Sequence, residues 1–258
     1  MNGSLSSTDM SVDIDQVRKR GVTAALYTRR GELASRALDV MGAAIGLIIG
    51  APFMLAAAIG IRLTMGSPVL FRQRRLGRDE RPFTLFKFRT MRAPEGGAGS
   101  RKSGSDSATL HPEQSRGARR LTPSERITPA GRILRQLSID ELPQLWNVLR
   151  GDMSLVGPRP LYIEYLPYYT KRERIRHRVR PGLTGLAQIS GRNRAQWDDR
   201  LELDAQYVEA KSLWLDLHIL TKTVAQVIRR ENVMDAAIQG NLAQHRASRG
   251  GVPVPAPR

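Results

Sequence analysis

The feature that most constrains this chain is a long run of uncharged, apolar residues near its amino terminus. The run extends from Val40 to Ile61 and reads VMGAAIGLIIGAPFMLAAAIGI. At about 1.5 Å of rise per residue, a helix of this length measures about 33 Å, enough to cross a hydrocarbon core of about 30 Å. A fully buried helix of a soluble protein is the alternative, but the length of the run and its lack of charge favour a membrane.

Pro52 and the basic flanks of the run argue against a helix that simply spans the bilayer. A proline in mid-helix removes a backbone hydrogen bond and clashes with the preceding turn, so a kink is expected. Because positively charged flanks stay on the cytoplasmic side, both ends are expected there. The sequence predicts a re-entrant helix broken at Pro52 within residues 36–66, with a spanning helix as the alternative. The flanking bases are Arg29, Arg30 and Arg36 before the run and Arg62, Arg72, Arg74, Arg75, Arg78 and Arg81 after it.

The composition of the 258-residue chain limits its chemistry and its partners. Lys and Arg number 41 against 24 for Asp and Glu, which gives a formal net charge of +17. Such a balance implies an anionic partner, which could be nucleic acid, anionic lipid or a phosphorylated substrate. The absence of cysteine excludes disulfides and thiolate metal sites.

Composition also divides the chain into segments. Residues 1–35 are interpreted as a polar and basic tail, residues 36–66 as the membrane helix and residues 67–235 as a cytoplasmic domain. Within that domain, residues 92–122 are rich in Gly, Ser and Arg and are predicted to form a mobile loop, either a lid or a tolerated insertion. Residues 236–258 are predicted to be a disordered tail.

Short-range patterns predict a mainly α-helical fold with a small β component, in which amphipathic helices surround the cytoplasmic domain at the membrane interface. Val69–Phe71 and Phe83–Phe88 are predicted strands, joined by a turn at Gly77–Pro82. Leu186–Ile189 is a further predicted strand. Apolar spacing predicts helix from Arg126 onward and again over Trp197–Glu231, with a break near Ser212.

Two adjacent carboxylates, Asp140 and Glu141, stand out in a chain so rich in bases. They precede an apolar pattern of helical spacing, and Ser138 with Glu141 matches the S-x-x-E capping box, which would give both acids a purely structural role. The segment then continues into Gly157-Pro-Arg-Pro160, where Arg159 lies between two prolines. Pattern alone leaves open whether these residues form a site or a capped helix.

Six motifs in a fixed order give the chain a resemblance to a known family. From about Arg36 to Thr223 it resembles the bacterial sugar transferases, in the short form of the monotopic phosphoglycosyl transferases that act on polyprenyl phosphate. Several separated motifs in one order are far more specific than any one of them. They are Arg36-x-x-Asp39, Lys87-Phe-Arg-Thr-Met91, Ser138-Ile-Asp-Glu-Leu-Pro-Gln-Leu145, Gly151-Asp-Met-Ser-Leu-Val-Gly-Pro-Arg-Pro160, Pro181-Gly-Leu-Thr-Gly185 and Gly191-Arg-Asn193.

The resemblance implies a reaction. A sugar-1-phosphate passes from a nucleotide diphosphate sugar, expected to be a UDP sugar, to polyprenyl (undecaprenyl) phosphate, and the nucleoside monophosphate is released. Asp140 matches the family's nucleophile, which would carry the phosphosugar as an acyl phosphate. Glu141 matches a catalytic and magnesium-binding position, and Arg159 a phosphate contact. Lys87, Arg89, His177 and Arg192 lie in the matched region as further candidates for phosphate binding, each with a structural role as the alternative.

The resemblance also implies a cofactor, partners and a location. The expected cofactor is Mg²⁺, with Mn²⁺ as the alternative, because a carboxylate that attacks a diphosphate needs a hard cation on oxygen ligands. The expected partners are the nucleotide sugar, polyprenyl phosphate, a bilayer with anionic headgroups and downstream glycosyltransferases of exopolysaccharide, O-antigen or glycoprotein assembly. The enzyme is expected at the bacterial inner membrane, with its catalytic domain on the cytoplasmic face. Whether it forms a homodimer stays open.

Two other readings of the sequence remain. A membrane-anchored nucleic-acid-binding or scaffold protein would use the charge of +17, and its binding of oligonucleotides would survive the loss of Asp140 and Glu141. The enzyme interpretation expects no nucleic acid as a partner, since carboxylates repel phosphate unless a metal intervenes. An inactive relative acting as an assembly partner is the other reading, and the intact acid pair argues against it.

Overall fold

The computed structural model describes residues 29–92, 126–190, 197–229 and 242–249. The predictions for the amino-terminal tail before residue 29, for the loop 92–122 beyond residue 92 and for Arg192 fall outside the described residues. So does the predicted carboxy-terminal tail, apart from residues 242–249.

The first element is the apolar helix α1, Arg29–Met65, which begins earlier than the predicted boundary at residue 36. The helix continues through Pro52 and is not interrupted at the position of the predicted break. A proline removes only one hydrogen bond of the helix backbone, and the turns on both sides are held by contacts with the rest of the protein. By length and composition, Gly31–Met65 could cross a membrane, and only 17% of its most apolar window is buried.

One face of α1 lies against the remaining domain along most of its length. Gly42 and Gly46 allow this close approach, because an added methyl group would meet side-chain carbons of Leu155 and Leu145 at 2.6 and 3.0 Å. Further along, Ile61 is completely buried in a cluster with Phe88 and Leu134. The opposite face exposes its large apolar side chains, among them Met41, Ile45, Ile48, Ile49, Phe53, Leu55 and Leu63.

A β-hairpin follows, and it confirms the predicted strands and turn. Strands β1, Leu70–Leu76, and β2, Pro82–Phe88, pair antiparallel, with Leu70 opposite Phe88. Leu85 and Phe88 of β2 are both buried, Leu85 in the main core and Phe88 in the cluster with Ile61 and Leu134. They are three positions apart and therefore lie on opposite faces of the strand. Lys87 lies between these two residues, on the same face as Leu85, and the hairpin presents it to a neighbouring element.

Helices α2, Pro129–Gln136, and α3, Gln144–Arg150, confirm the helical pattern after Arg126, but the predicted capping box is wrong. The N-cap of α2 is Thr128, whose hydroxyl accepts a hydrogen bond from Gly131 N at 3.0 Å, and Pro129 lies in the first turn of this helix. Ser138 has a left-handed backbone with φ of 54°, and its side chain makes no capping hydrogen bond. It starts a separate 3₁₀ turn, Ile139–Glu141, that carries the acid pair.

Two very short strands, β3 (Ser154–Val156) and β4 (Gly182–Thr184), pair in parallel. The strand predicted at Leu186–Ile189 is wrong, since these residues form the one-turn helix α4. The amides of Gln188 and Ile189 both donate to Gly185 O, and these local bonds close a helical turn. Two further 3₁₀ helices, Ile163–Tyr168 and Glu173–Arg178, connect β3 with β4.

Helices α5, Trp197–Ala210, and α6, Leu213–Arg229, confirm the predicted pair with its break near Ser212. The prediction of a disordered tail is wrong for Leu242–Ser248, which form helix α7. Leu242 is completely buried, and Arg246 pairs with both Asp198 and Glu173. These contacts fix a segment whose composition alone suggests disorder.

The main apolar core lies between α1, α3, α5, α6 and the small parallel sheet. Ala43, Val148, Val156, Tyr207 and Ile219 are each at most 2% exposed within it. The architecture is mainly helical with two small sheets, as predicted. The core places the 3₁₀ turn with the acid pair between α2 and α3, beside the end of β2.

Candidate active site

The acid pair lies on the short turn between α2 and α3, and its two carboxylates differ in exposure. The Asp140 side chain is 3% exposed and that of Glu141 is 23% exposed. A 3₁₀ turn aims adjacent residues in different directions, since it holds three residues per turn. One carboxylate therefore points into the protein and the other stays accessible to a ligand.

Lys87 of β2 connects the two carboxylates. Its Nζ lies 2.7 Å from Asp140 Oδ2 and 3.7 Å from Glu141 Oε1. From the other side, Arg159 Nη2 donates to Glu141 Oε1 at 3.1 Å. Four residues from three separate parts of the sequence thus form one cluster of two acids and two bases, which we call the acid-pair cluster.

Burial and charge act on Asp140 in opposite directions. Desolvation is the larger effect and raises the pKa of its carboxyl group, whereas the positive charge of Lys87 lowers that pKa. Glu141 adds to the rise, and Arg135 opposes it weakly. The carboxylate is desolvated and so poorly stabilised by water, which is the condition that favours reaction with an electrophile, and the positive charge of Lys87 favours its charged form.

Asn147 fixes the distance between β2 and the acid pair. This buried amide accepts a hydrogen bond from Phe86 N at 3.1 Å and donates to Thr84 O at 2.7 Å. Asn147 therefore bonds the backbone of β2 on both sides of Leu85, which lies two residues before Lys87. No pattern in the sequence indicates this role, because a lone Asn in a helical pattern has no distinctive spacing.

Two further arginines, which no sequence motif marks as site residues, support the acid-pair cluster. Arg135 Nε donates to Thr90 Oγ1 at 3.0 Å and reaches Asp140 by its charge. Arg75 lies 3.7 Å above the ring of Tyr162 and donates to Pro160 O at 3.4 Å, beside the turn that carries Arg159. Only their positions in space distinguish them from the other bases of the chain.

The remaining candidates are placed differently. Arg89 donates to the carbonyls of Ser67 and Met91, at 3.1 and 3.3 Å, and no contact between it and the acid pair is seen among the described residues. His177 is buried against the ring of Tyr169. Burial first, and then Arg176 and Arg174, lower its pKa to about 3, so the imidazole is neutral near pH 7. Arg192 lies outside the described residues.

The acid pair fits a hard divalent cation only in a limited sense. In the described part of the chain, no group of three or more His, Cys, Asp or Glu residues could hold a metal ion by itself. Mg²⁺, however, is commonly bound through one or two carboxylates together with substrate phosphates and water. Glu141, as the more accessible acid, and Asp140 would supply such ligands once a diphosphate is present.

The site and its setting define a class of protein. A buried, lysine-bound carboxylate beside a second acid and an arginine, on a domain attached to a membrane-grade helix, is the arrangement expected of a membrane-associated enzyme that handles phosphate. Residues 30–230 match the family described as "Bacterial sugar transferase". The chain belongs to the bacterial sugar transferase family and is a phosphoglycosyl transferase.

Relatives with assigned names share most of this domain. The chain is 44% identical to the uncharacterized sugar transferase EpsL of Bacillus subtilis over 78% of this chain and 90% of the relative. It is 42% identical to the UDP-glucose:undecaprenyl-phosphate glucose-1-phosphate transferase of Caulobacter vibrioides, over 78% of this chain and 72% of the relative. It is 39% identical to the exopolysaccharide production protein ExoY of Rhizobium meliloti, over 76% of this chain and 86% of the relative. Membership of an enzyme family argues against the nucleic-acid-binding alternative.

Proposed function

We propose that this enzyme transfers a sugar-1-phosphate from a nucleotide diphosphate sugar, a UDP sugar in the first instance, to undecaprenyl phosphate. The observation that carries the proposal is the bond of 2.7 Å between Lys87 Nζ and the buried Asp140 carboxylate, with Glu141 and Arg159 beside it. The name of the Caulobacter relative, which specifies a UDP sugar and undecaprenyl phosphate, supports the same substrates.

In the first step, Asp140 attacks the phosphorus atom that bears the sugar. A bond forms between a carboxylate oxygen and phosphorus, the bond from phosphorus to the bridging oxygen breaks, and the nucleoside monophosphate leaves with the electron pair. The product is an acyl phosphate on Asp140. Lys87 holds the nucleophile in place, and Arg159 offers a guanidinium fork to phosphate oxygens while it orients Glu141.

In the second step, a phosphate oxygen of undecaprenyl phosphate attacks the same phosphorus. The acyl phosphate bond breaks, the Asp140 carboxylate is restored, and the polyprenyl diphosphate sugar is released. A covalent intermediate divides one difficult transfer into two displacements and gives ping-pong kinetics. Mg²⁺, held by Glu141 and Asp140, would supply the charge that offsets the phosphate oxygens. Mn²⁺ could replace it.

We also propose that α1 enters and leaves the bilayer by the same face. The domain contacts α1 from Arg36, which donates to Val148 O, to Ile61 in the cluster with Phe88. These positions are about 38 Å apart along a helix, so a straight crossing would place them on opposite sides of a core of about 30 Å. Contact of one domain with both ends therefore supports a re-entrant path, and the basic flanks support the cytoplasmic face.

Turnover of radiolabelled nucleotide sugars tests the reaction. A panel of UDP sugars is supplied with undecaprenyl phosphate and Mg²⁺, and the labelled lipid is identified by mass spectrometry. Without acceptor, the wild-type enzyme is expected to retain the labelled sugar phosphate and release the nucleoside monophosphate in a burst, whereas Asp140→Asn should do neither. Near-normal turnover by Asp140→Asn would disprove the covalent route.

A further inference from the structure

Helix α7 lies outside the part of the chain that matches the family, since that match ends at residue 230 and α7 covers Leu242–Ser248. The helix is nevertheless packed against the domain. Leu242 is completely buried in a cluster with Tyr165 and Trp197. This apolar contact fixes one end of α7, and a charged contact fixes the other.

The charged contact is a bridge from Arg246 to two acids. One guanidinium nitrogen pairs with Glu173, and another pairs with Asp198 at 2.7 Å. The side chain of Arg246 is 13% exposed and that of Glu173 is 10% exposed, so salt and water screen this pair less than a surface pair. Glu173 is the first residue of the 3₁₀ helix Glu173–Arg178, and Asp198 lies at the start of α5. A single side chain of α7 therefore joins two elements of the domain.

Glu173 also closes the start of its own 3₁₀ helix. Its second carboxylate oxygen accepts a hydrogen bond from Thr170 N at 2.8 Å, and Glu173 N donates to Thr170 Oγ1 at 3.3 Å. This reciprocal pair of bonds is a capping box. Because one oxygen of Glu173 binds the cap and the other binds Arg246, α7 acts on the end of the 3₁₀ helix through a carboxylate that is held at both oxygens.

The same 3₁₀ helix carries a support of the active site. Arg176, one turn along, is buried and donates to Arg159 O at 2.6 Å. It also pairs with the buried Asp204 of α5 at 2.8 Å. The side chain of Arg159 in turn bonds Glu141 in the acid-pair cluster. A continuous series of contacts thus leads from α7 to the acid pair.

The orientation of this 3₁₀ helix depends on how it is tied to α5. The buried ion pair just described is one constraint. Arg172 adds contacts with Glu202 and Glu209, but these side chains are at least 40% exposed, and such pairs contribute little. The bridge through Arg246 is therefore the second shielded constraint, and without it the short helix can pivot about the first. A displacement of about 1 Å at a group that binds substrate is enough to slow a reaction substantially.

We propose that Arg246 is a positioning residue of the active site, which acts on Arg159 through the 3₁₀ helix Glu173–Arg178. Helix α7 is then a clamp that keeps Arg159 within reach of Glu141 and of the donor phosphates. Among the described residues, Arg246 itself makes no contact with the acid-pair cluster. The inference rests on the proposed function, because that function gives Arg159 its phosphate contact.

A double-mutant cycle in the full-length enzyme separates positioning from stability. Arg246→Met keeps much of the length of the side chain and removes the bridge, and the readout is kcat/KM for the nucleotide sugar. We expect a loss of about fivefold in enzyme that has Arg159, and no further loss in the Arg159→Met background, because the side chain that Arg246 positions is absent there. A variant that merely folds less well loses the same factor in both backgrounds.

Two further variants complete the comparison. Glu173→Gln keeps an acceptor for Thr170 N but removes the charge, so it should reproduce the loss and add nothing to Arg246→Met. Arg249→Met is the matched control, since Arg249 also pairs with Asp198 but its side chain is 54% exposed. This control should change kcat/KM by less than about twofold.

An equal loss in both backgrounds, or no loss from Arg246→Met in enzyme that has Arg159, overturns the inference and leaves α7 with a purely structural role. Absence of turnover by the wild-type enzyme with every nucleotide sugar of the panel would instead contradict the proposed function, and with it the role of Arg159.

Discussion

At the scale of single residues, Lys87 decides at which pH Asp140 is a nucleophile. Burial raises the pKa of Asp140 and Lys87 lowers it, so removing Lys87 leaves the rise unopposed. In Lys87→Met the carboxyl group should remain protonated to a higher pH, and the acid limb of kcat/KM should move upward. At the pH optimum we expect a loss of about 10²-fold, the size typical of a deleted electrostatic contact at a reacting group.

The pH profile of kcat/KM measures both effects. Lys171→Met is the control, because Lys171 is an exposed cation on the surface, and its profile should match that of the wild type. An acid limb that stays in place in Lys87→Met would mean that another group sets the ionisation of Asp140.

His177 is expected to contribute to packing rather than to charge. With a pKa of about 3 it is neutral at the pH of the assay, and it lies against Tyr169. His177→Asn should lower the free energy of unfolding by about 1–2 kcal/mol, as is common for buried substitutions, and keep kcat/KM within about threefold. Steady-state kinetics with thermal unfolding separate the two effects. A rise in the KM for the donor without loss of stability would assign His177 to phosphate binding.

At the scale of secondary-structure elements, the motif of Arg36 and Asp39 docks α1 on the domain. Arg36 donates to Val148 O and Leu149 O at 2.7 and 2.8 Å, both carbonyls of the last turn of α3. Val148 O also accepts from Gly151 N at 3.0 Å. Asp39 accepts from Ser154 Oγ and Leu155 N, both at 2.8 Å. These two residues thus tie the start of the membrane helix to α3 and β3.

Loss of this docking should destabilise the fold more than it changes the chemistry. Arg36→Met removes two charged hydrogen bonds and is expected to cost about 3 kcal/mol. Arg62→Met, at an exposed position on the same helix, should cost little. Thermal unfolding in detergent compares them. Equal melting temperatures for the two variants would show that the carbonyl contacts of Arg36 contribute nothing to stability.

The elements also show how far the sequence could predict this fold. The hairpin and the pair α5 and α6 were predicted because their signals are local: strand composition with a turn, and apolar periodicity with a break. Strands β3 and β4 have three residues each, and their paired residues, such as Ser154 and Gly182, are 28 positions apart in the chain, so no local pattern indicates them. The family motifs predict the acid pair. Its contact with Lys87 depends on the packing of β2 against the 3₁₀ turn and on the bonds of Asn147 to the backbone of β2, which no motif indicates.

At the scale of the whole molecule, two apolar surfaces accompany the positive charge. The outer face of α1 is one. The other is on α6, where Trp214 is 67% and Ile228 is 75% exposed. Exposed apolar patches of this kind on a basic protein are suited to a bilayer with anionic headgroups. The active site and the lipid acceptor would then meet at the interface.

The path of α1 can be tested directly because the chain contains no cysteine of its own. Gly31→Cys and Ser67→Cys place one thiol near each end of α1, and Ile48→Cys places one at a side chain that is 75% exposed and close to Pro52. In vesicles with the domain outward, a membrane-impermeant maleimide should label the first two and leave the third unlabelled until detergent is added. Labelling of Gly31→Cys and Ser67→Cys from opposite sides would establish a spanning helix. Labelling of Ile48→Cys without detergent would show that the apolar face of α1 never enters the bilayer, so the three thiols together distinguish re-entrant, spanning and surface-bound paths.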